Sequence, residues 1–290
     1  MDQRIINLYD RFTHGFMSRR DFLDQLAILT GSAAAAAALL PLLANDYAKA
    51  ATVDANDPRL ASERISYDSP AGKIAAYLTR DKAKTKRPVV IVIHENRGLN
   101  PHIEDVARRM ALEGFLVVAP DLLSVSGGTP PNEDQAREQH ARTNQNDMRA
   151  AAVAAVPVMR DHLESTGNVG ATGFCFGGGV LNWMAVESSD LKAAVAYYGV
   201  QPPADRVPTI RAALLLHYAG LDDRVNAGIS GFEAALKANH KRYTIYMYPN
   251  VNHAFNNDTS SRYDKAAADL AWSRTVAFFK QELGEPPKAG

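Results

Sequence analysis

The chain has 290 residues, 46% hydrophobic and 22% charged, and its 32 basic and 32 acidic residues cancel. That balance fits an ordinary water-soluble globular protein, and with no basic patch it argues against a nucleic-acid partner. The single cysteine excludes an internal disulfide and a cysteine-rich zinc site, so its sulfur serves either packing or chemistry.

Residues 1–50 differ in composition from the rest. Ser18-Arg19-Arg20-Asp21-Phe22-Leu23 has the form of a twin-arginine export signal, followed by an Ala-rich apolar run from Leu26 to Ala44. Ala48-Lys49-Ala50 offers small residues where a signal peptidase cuts. Gly31, Ser32 and Pro41 interrupt the run, which argues against a permanent membrane span. The expectation is export to the periplasm. The alternative is a cytoplasmic protein with a retained helical extension, favoured by the acidic Asp2, Asp10, Asp21 and Asp24. Residues 51–290 then form one domain.

In that domain Ile65–Tyr67 and Lys73–Leu78 read as short strands around the turn Ser69-Pro70-Ala71-Gly72. Pro88–Ile93 is a continuous apolar, mostly β-branched run, as in a strand covered on both faces. His94-Glu95-Asn96-Arg97-Gly98 is a polar loop at its end. A helix over Ile103–Glu113 and a buried strand over Phe115–Ala119 follow. Leu122–Gln145, rich in Gly, Pro and charge, reads as a long irregular excursion, and Asp147–Ser165 as an amphipathic helix. Next come a strand ending at Phe174, a helix to about Val186, and strands over Ala193–Tyr198 and Ala213–Tyr218. A helix near Gly231–Ala238, a strand over Arg242–Tyr248 and a closing helix over Tyr263–Leu283 complete the chain. Alternating strands and helices predict an α/β fold with a mostly parallel sheet, covered by helices on both faces.

Gly173-Phe174-Cys175-Phe176-Gly177 carries the cysteine in a G-x-C-x-G pattern between strand and helix. This is the spacing of a nucleophile elbow, a tight turn that lifts the nucleophile to the top of a sheet and to a helix N-terminus. The competing reading is a buried packing cysteine in a Gly-rich turn. A nucleophilic Cys175 needs a base and an acid that orients it. His253 follows the last strand and Asp222-Asp223 follow the strand over 213–218, the order nucleophile, acid, His. Of the two carboxylates Asp223 is preferred, because the turn at Gly220 would aim it at the site. Of the eight histidines, His217 lies inside an apolar strand and reads as core, and His14 lies in the signal-like segment. The amides of Phe176 and Asn96 are the candidate oxyanion donors. Glu95 is expected close to the sulfur, with an ion pair to Arg97 as the competing role.

Three ordered segments, G-F-C-F-G-G-G at the elbow, G-L-D-D at 220–223 and Y-P-N-V-N-H-A-F at 248–255, together resemble the dienelactone hydrolase family. The resemblance covers roughly residues 65–283 and implies an α/β-hydrolase fold with a cysteine nucleophile and an acyl-enzyme. It also implies that Glu95 controls the thiol, that Arg137 holds a substrate carboxylate and that Tyr197 lines the pocket. Asn257 stands where prototype members have a second carboxylate-binding arginine. Ala141 and Asn144 stand where they have aromatics, so the residues that would fix dienelactone as substrate are incomplete. The reading is a hydrolase of a small ester or lactone, needing no cofactor and no metal, acting as a monomer or small homo-oligomer. A general carboxylesterase or thioesterase is one alternative. A ligand-binding or redox-sensing protein with Cys175 as a reversible oxidation site is the other.

Overall fold

A computed structural model describes residues 2–46, 52–83 and 85–287. Three helices open the chain, α1 (Gln3–Thr13), α2 (Arg19–Thr30) and α3 (Ala33–Leu43). They are followed by β1 (Leu60–Ser69), β2 (Gly72–Asp81), β3 (Arg87–Ile93), α4 (Pro101–Leu112) and β4 (Leu116–Pro120). Then come α5 (Glu133–Arg142), α6 (Gln145–Arg160), β5 (Ser165–Phe174), α7 (Phe176–Glu187), β6 (Leu191–Tyr197) and β7 (Ala213–Ala219). The chain closes with α8 (Asp223–Asn226), α9 (Ile229–Ala238), β8 (Tyr243–Tyr248) and α10 (Lys265–Leu283).

The strands form one eight-stranded sheet in the order β1-β2-β4-β3-β5-β6-β7-β8. β2 runs antiparallel to both its neighbours, and every pairing from β4 to β8 is parallel. The expected α/β fold is therefore present. Strand alternation builds two cores from one run of residues. Val89, Ile91 and Ile93 of β3 pack with Met148 and Val156 of α6 and Leu181 of α7. Val90 and Val92 pack on the other face with Ile103 and Met110 of α4 and Phe279 of α10.

One segment departs from expectation. The stretch after β4, read as irregular, contains a 3-10 turn over Leu122–Ser126 and the helix α5. Asn132 caps α5 by accepting from the Gln135 amide, and Glu133 and Asp134 fill its first turn, a favourable charge placement at a helix start.

Residues 2–46 are packed helices. α1 buries Ile5, Leu8, Tyr9 and Phe12, spaced as one helical face. With Phe22, Leu26, Ala36 and Leu43 these make a separate apolar cluster, in which the Phe12 and Phe22 rings stack at 4.5 Å. Polar contacts tie the segment to the sheet domain. Arg262 donates to Asp10 at 2.8 Å, Asn96 to the Thr13 carbonyl at 2.7 Å, and Arg19 to Asp134 at 2.6 Å. Among the described residues no single helix is long and apolar enough to cross a membrane. α2 and α3 pass such a test only as a pair bent by 111°. The expected cleavage site at Ala48-Lys49-Ala50 lies outside the described residues.

Candidate active site

Cys175 sits between β5 and α7 with φ 55° and ψ −115°, a backbone conformation rarely adopted by a residue with a side chain. The flanking glycines make this turn possible. A Cβ on Gly173 would lie 2.2 Å from the Gly177 carbonyl oxygen, and one on Gly177 would lie 2.4 Å from that of His94. The elbow is thus enforced by close backbone packing, and it holds the sulfur at the carboxyl edge of the sheet. The loops after β3, β7 and β8 meet there.

His253 and Asp222 arrive on two of those loops. His253 Nδ1 donates to Asp222 Oδ2 at 2.5 Å, with the two side chains 4% and 2% exposed. The preference for Asp223 is corrected. Asp223 opens α8 and faces solvent, whereas Asp222 occupies the preceding cap position, where its Oδ1 also accepts from the Val225 amide at 3.3 Å. One residue of helical rotation decides which carboxylate enters the site.

A second imidazole was not anticipated. His14, one residue beyond α1, places Nε2 3.3 Å from Cys175 Sγ. Its Nδ1 donates to the Asp10 carbonyl at 2.7 Å and lies 3.3 Å from the Asp10 carboxylate. The His14 and His253 rings meet edge to face at 4.8 Å. The ligand-capable atoms of His14, Cys175 and His253 all lie within 4.8 Å of one another. The apolar periodicity of α1 was the one sequence signal that residues 2–14 pack on a domain. No local pattern marked His14 itself.

Charge accompanies this geometry. Burial pushes the Cys175 thiol up, but the imidazoles of His253 and His14 outweigh it and bring it from 9.0 down to about 6. Burial disfavours a charged His253, yet the sulfur and Asp222 raise it from 6.5 to about 10. Burial likewise disfavours a charged His14, and Cys175 and Asp10 raise it above its ordinary value. The favoured state is a thiolate beside imidazolium.

Glu95 Oε2 accepts from Asn257 Nδ2 at 2.7 Å, while its buried Oε1 has no hydrogen-bond partner; Arg97 pairs with Glu133. His217 is a core residue as expected, bonded to the Tyr248 hydroxyl at 2.9 Å and held down to about pKa 3 by burial.

A cavity of about 600 Å³ opens beside the sulfur. Phe176 and Asn96 both line it, and Phe176 begins α7, where amides lack helical acceptors. Arg137 lines it as expected, with its guanidinium 4.4 Å from the Phe12 ring centre. Tyr197 does not line it: its hydroxyl is 2.7 Å from Thr275 Oγ1, and the ring is fully buried under α10. The neighbouring Tyr198, at φ 39°, turns the other way and lines the cavity, and its hydroxyl is buried with no hydrogen-bond partner. Arg149 and Arg224 also face the cavity, and among the described residues no carboxylate does.

The dienelactone hydrolase family model matches residues 74–283, and a model described as YqhI-like matches residues 1–33. A provisionally named carboxymethylenebutenolidase of Escherichia coli O157:H7 is 31% identical over 258 residues, covering 80% of this chain and 92% of that protein. A relative of the same description from Saccharolobus solfataricus is 29% identical over 255 residues, covering 76% and 98%. A crystal structure from Klebsiella pneumoniae, titled as a provisional dienelactone hydrolase, aligns with a TM-score of 0.70 at 28% identity, covering 77% of this chain and 99% of that one. Sheet order, elbow and sequence similarity over most of the chain agree, and the chain is a hydrolase belonging to the dienelactone hydrolase family.

Proposed function

We propose that this hydrolase cleaves a small ester or lactone that carries a negative charge, with Cys175 as nucleophile, His253 as proton carrier and Asp222 as the residue that orients His253. The observation that carries the reading is the thiol on its strained elbow, within 4.8 Å of an imidazole whose far nitrogen is held by a buried carboxylate. The thiolate attacks the carbonyl carbon, and the resulting oxyanion is held by the amides of Phe176 and Asn96. Collapse expels the alkoxide, which takes a proton from His253 and leaves a thioester on Cys175. His253 then takes a proton from water as it attacks the thioester. The acid is released and the thiol regenerated.

Arg137, Arg149 and Arg224, in a cavity that no carboxylate lines among the described residues, support an anionic substrate. The contacts of residues 2–46 with the cavity support their retention in the working enzyme, and hence the cytoplasmic alternative over export. The test compares wild type and Cys175→Ala on aryl esters and lactones with and without a carboxylate. The expected result is loss of turnover in the variant and a preference for carboxylate-bearing substrates in the wild type. Equal rates for the two proteins refute the assignment.

A further inference from the structure

The two imidazoles at the sulfur are held in the same way. His253 has Nδ1 on the Asp222 carboxylate, and His14 has Nδ1 on the Asp10 carbonyl with the Asp10 carboxylate 3.3 Å away. In each case the outward atom is Nε2, and both converge on Cys175 Sγ. A carboxylate behind each histidine, orienting the ring and strengthening its free nitrogen, is the support that zinc-binding histidines carry. His253 Nε2 is buried and has no hydrogen-bond partner.

We propose that Cys175, His253 and His14 form a binding site for a borderline-soft divalent cation, zinc above all, and that occupancy reversibly switches the hydrolase off. The donor set, one thiolate and two imidazoles, matches zinc chemistry, and the fourth position would face the cavity. Zinc bond lengths place sulfur and nitrogen donors about 3.5 Å apart in a tetrahedral site. The His14–Sγ separation of 3.3 Å is already close to this, while the 4.8 Å limit on the other pairs requires a contraction of about 1.5 Å at most. Binding takes the thiolate and both Nε2 lone pairs, and any proton on either ring leaves to solvent. The metal thereby occupies nucleophile and proton carrier together. Arg224 is its competitor. The guanidinium lies 3.1 Å from His14 Nε2 on a side chain 30% exposed, able to swing away as the metal enters.

Binding needs only this geometry, whereas inhibition rests on the hydrolase reading, so the two are measured separately. The full-length reduced protein is titrated with cobalt(II) alone, read as a thiolate-to-cobalt absorption band, and then with zinc to displace it. The expected result is saturation at one cobalt, with loss of the band in Cys175→Ala. His14→Gln should weaken binding at least tenfold, and Asp10→Asn, which removes the carboxylate charge behind His14 and facing Arg262 but keeps the backbone carbonyl that holds His14 Nδ1, by about 10–100-fold. Arg224→Gln should bind more tightly than wild type. Circular dichroism and melting confirm that each variant is folded, and Asp10→Asn carries the test if His14→Gln fails to fold. Zinc should abolish ester hydrolysis and a chelator should restore it. Absence of the band in folded wild-type protein, or unchanged affinity in both N-terminal variants, overturns the metal site whatever the hydrolase activity. Cobalt binding together with undiminished hydrolysis by Cys175→Ala overturns the hydrolase reading instead.

Discussion

Asp222→Asn and Asp223→Asn give the sharpest comparison, because the two side chains are adjacent and isosteric changes leave the fold intact. Asn at 222 still accepts from the Val225 amide, so the start of α8 keeps its cap. What is lost is the charge that faces His253 Nδ1 at 2.5 Å, between side chains 4% and 2% exposed. Breaking a buried ion pair from one side costs about 3–5 kcal/mol. At about 1.4 kcal/mol per factor of ten, that loss in the transition state lowers kcat by about 10²–10⁴. The other ring tautomer, which an asparagine also permits, points the wrong atom at the sulfur and acts in the same direction. Asp223 is exposed, and its replacement should leave kcat within about twofold, as for surface changes of under about 0.5 kcal/mol. The assay is steady-state hydrolysis of an aryl ester, with melting temperature as the control for folding. A rate for Asp222→Asn within threefold of wild type, or a larger loss in Asp223→Asn, refutes the assignment.

The thiol of Cys175, brought below its ordinary 9.0, should stay reactive toward iodoacetamide between pH 9 and 6 and lose reactivity as pH falls through about 6; a midpoint near 9 in chelator-treated protein refutes the thiolate–imidazolium pair. Gly177→Ala drives a Cβ to 2.4 Å from the His94 carbonyl oxygen and should cost about 1–3 kcal/mol or more, seen as a lower melting temperature together with lost activity. Phe22→Ala empties the middle of the N-terminal cluster, where the ring is 1% exposed. That should cost about 3–5 kcal/mol and expose residues 2–46 to limited proteolysis while the sheet domain resists. Arg137→Met should raise KM for carboxylate-bearing esters at least tenfold and leave uncharged esters unchanged, a split measured on paired substrates.

Local chemistry alone specified much of this protein. The apolar run at Pro88–Ile93 can only be a strand covered on both faces, and β3 is buried throughout. Glycines two places either side of Cys175 can only serve a turn in which backbones nearly touch, and the elbow is there. Because such sheets gather their loops at one edge, the order of Cys175, the 222–223 pair and His253 was enough to bring three segments together. Tertiary structure decided which of two neighbouring side chains faces the site. Asp222 against Asp223 and Tyr198 against Tyr197 turn on the rotation at a helix start and a positive φ after a strand, differences of one residue that composition and spacing do not carry. His14 reaches the sulfur across 161 positions of sequence, and Glu95 meets Asn257 across 162. Such contacts belong to the packing of α1 against the sheet and to the arrangement of its loops. They come into being only when distant segments are folded onto one another.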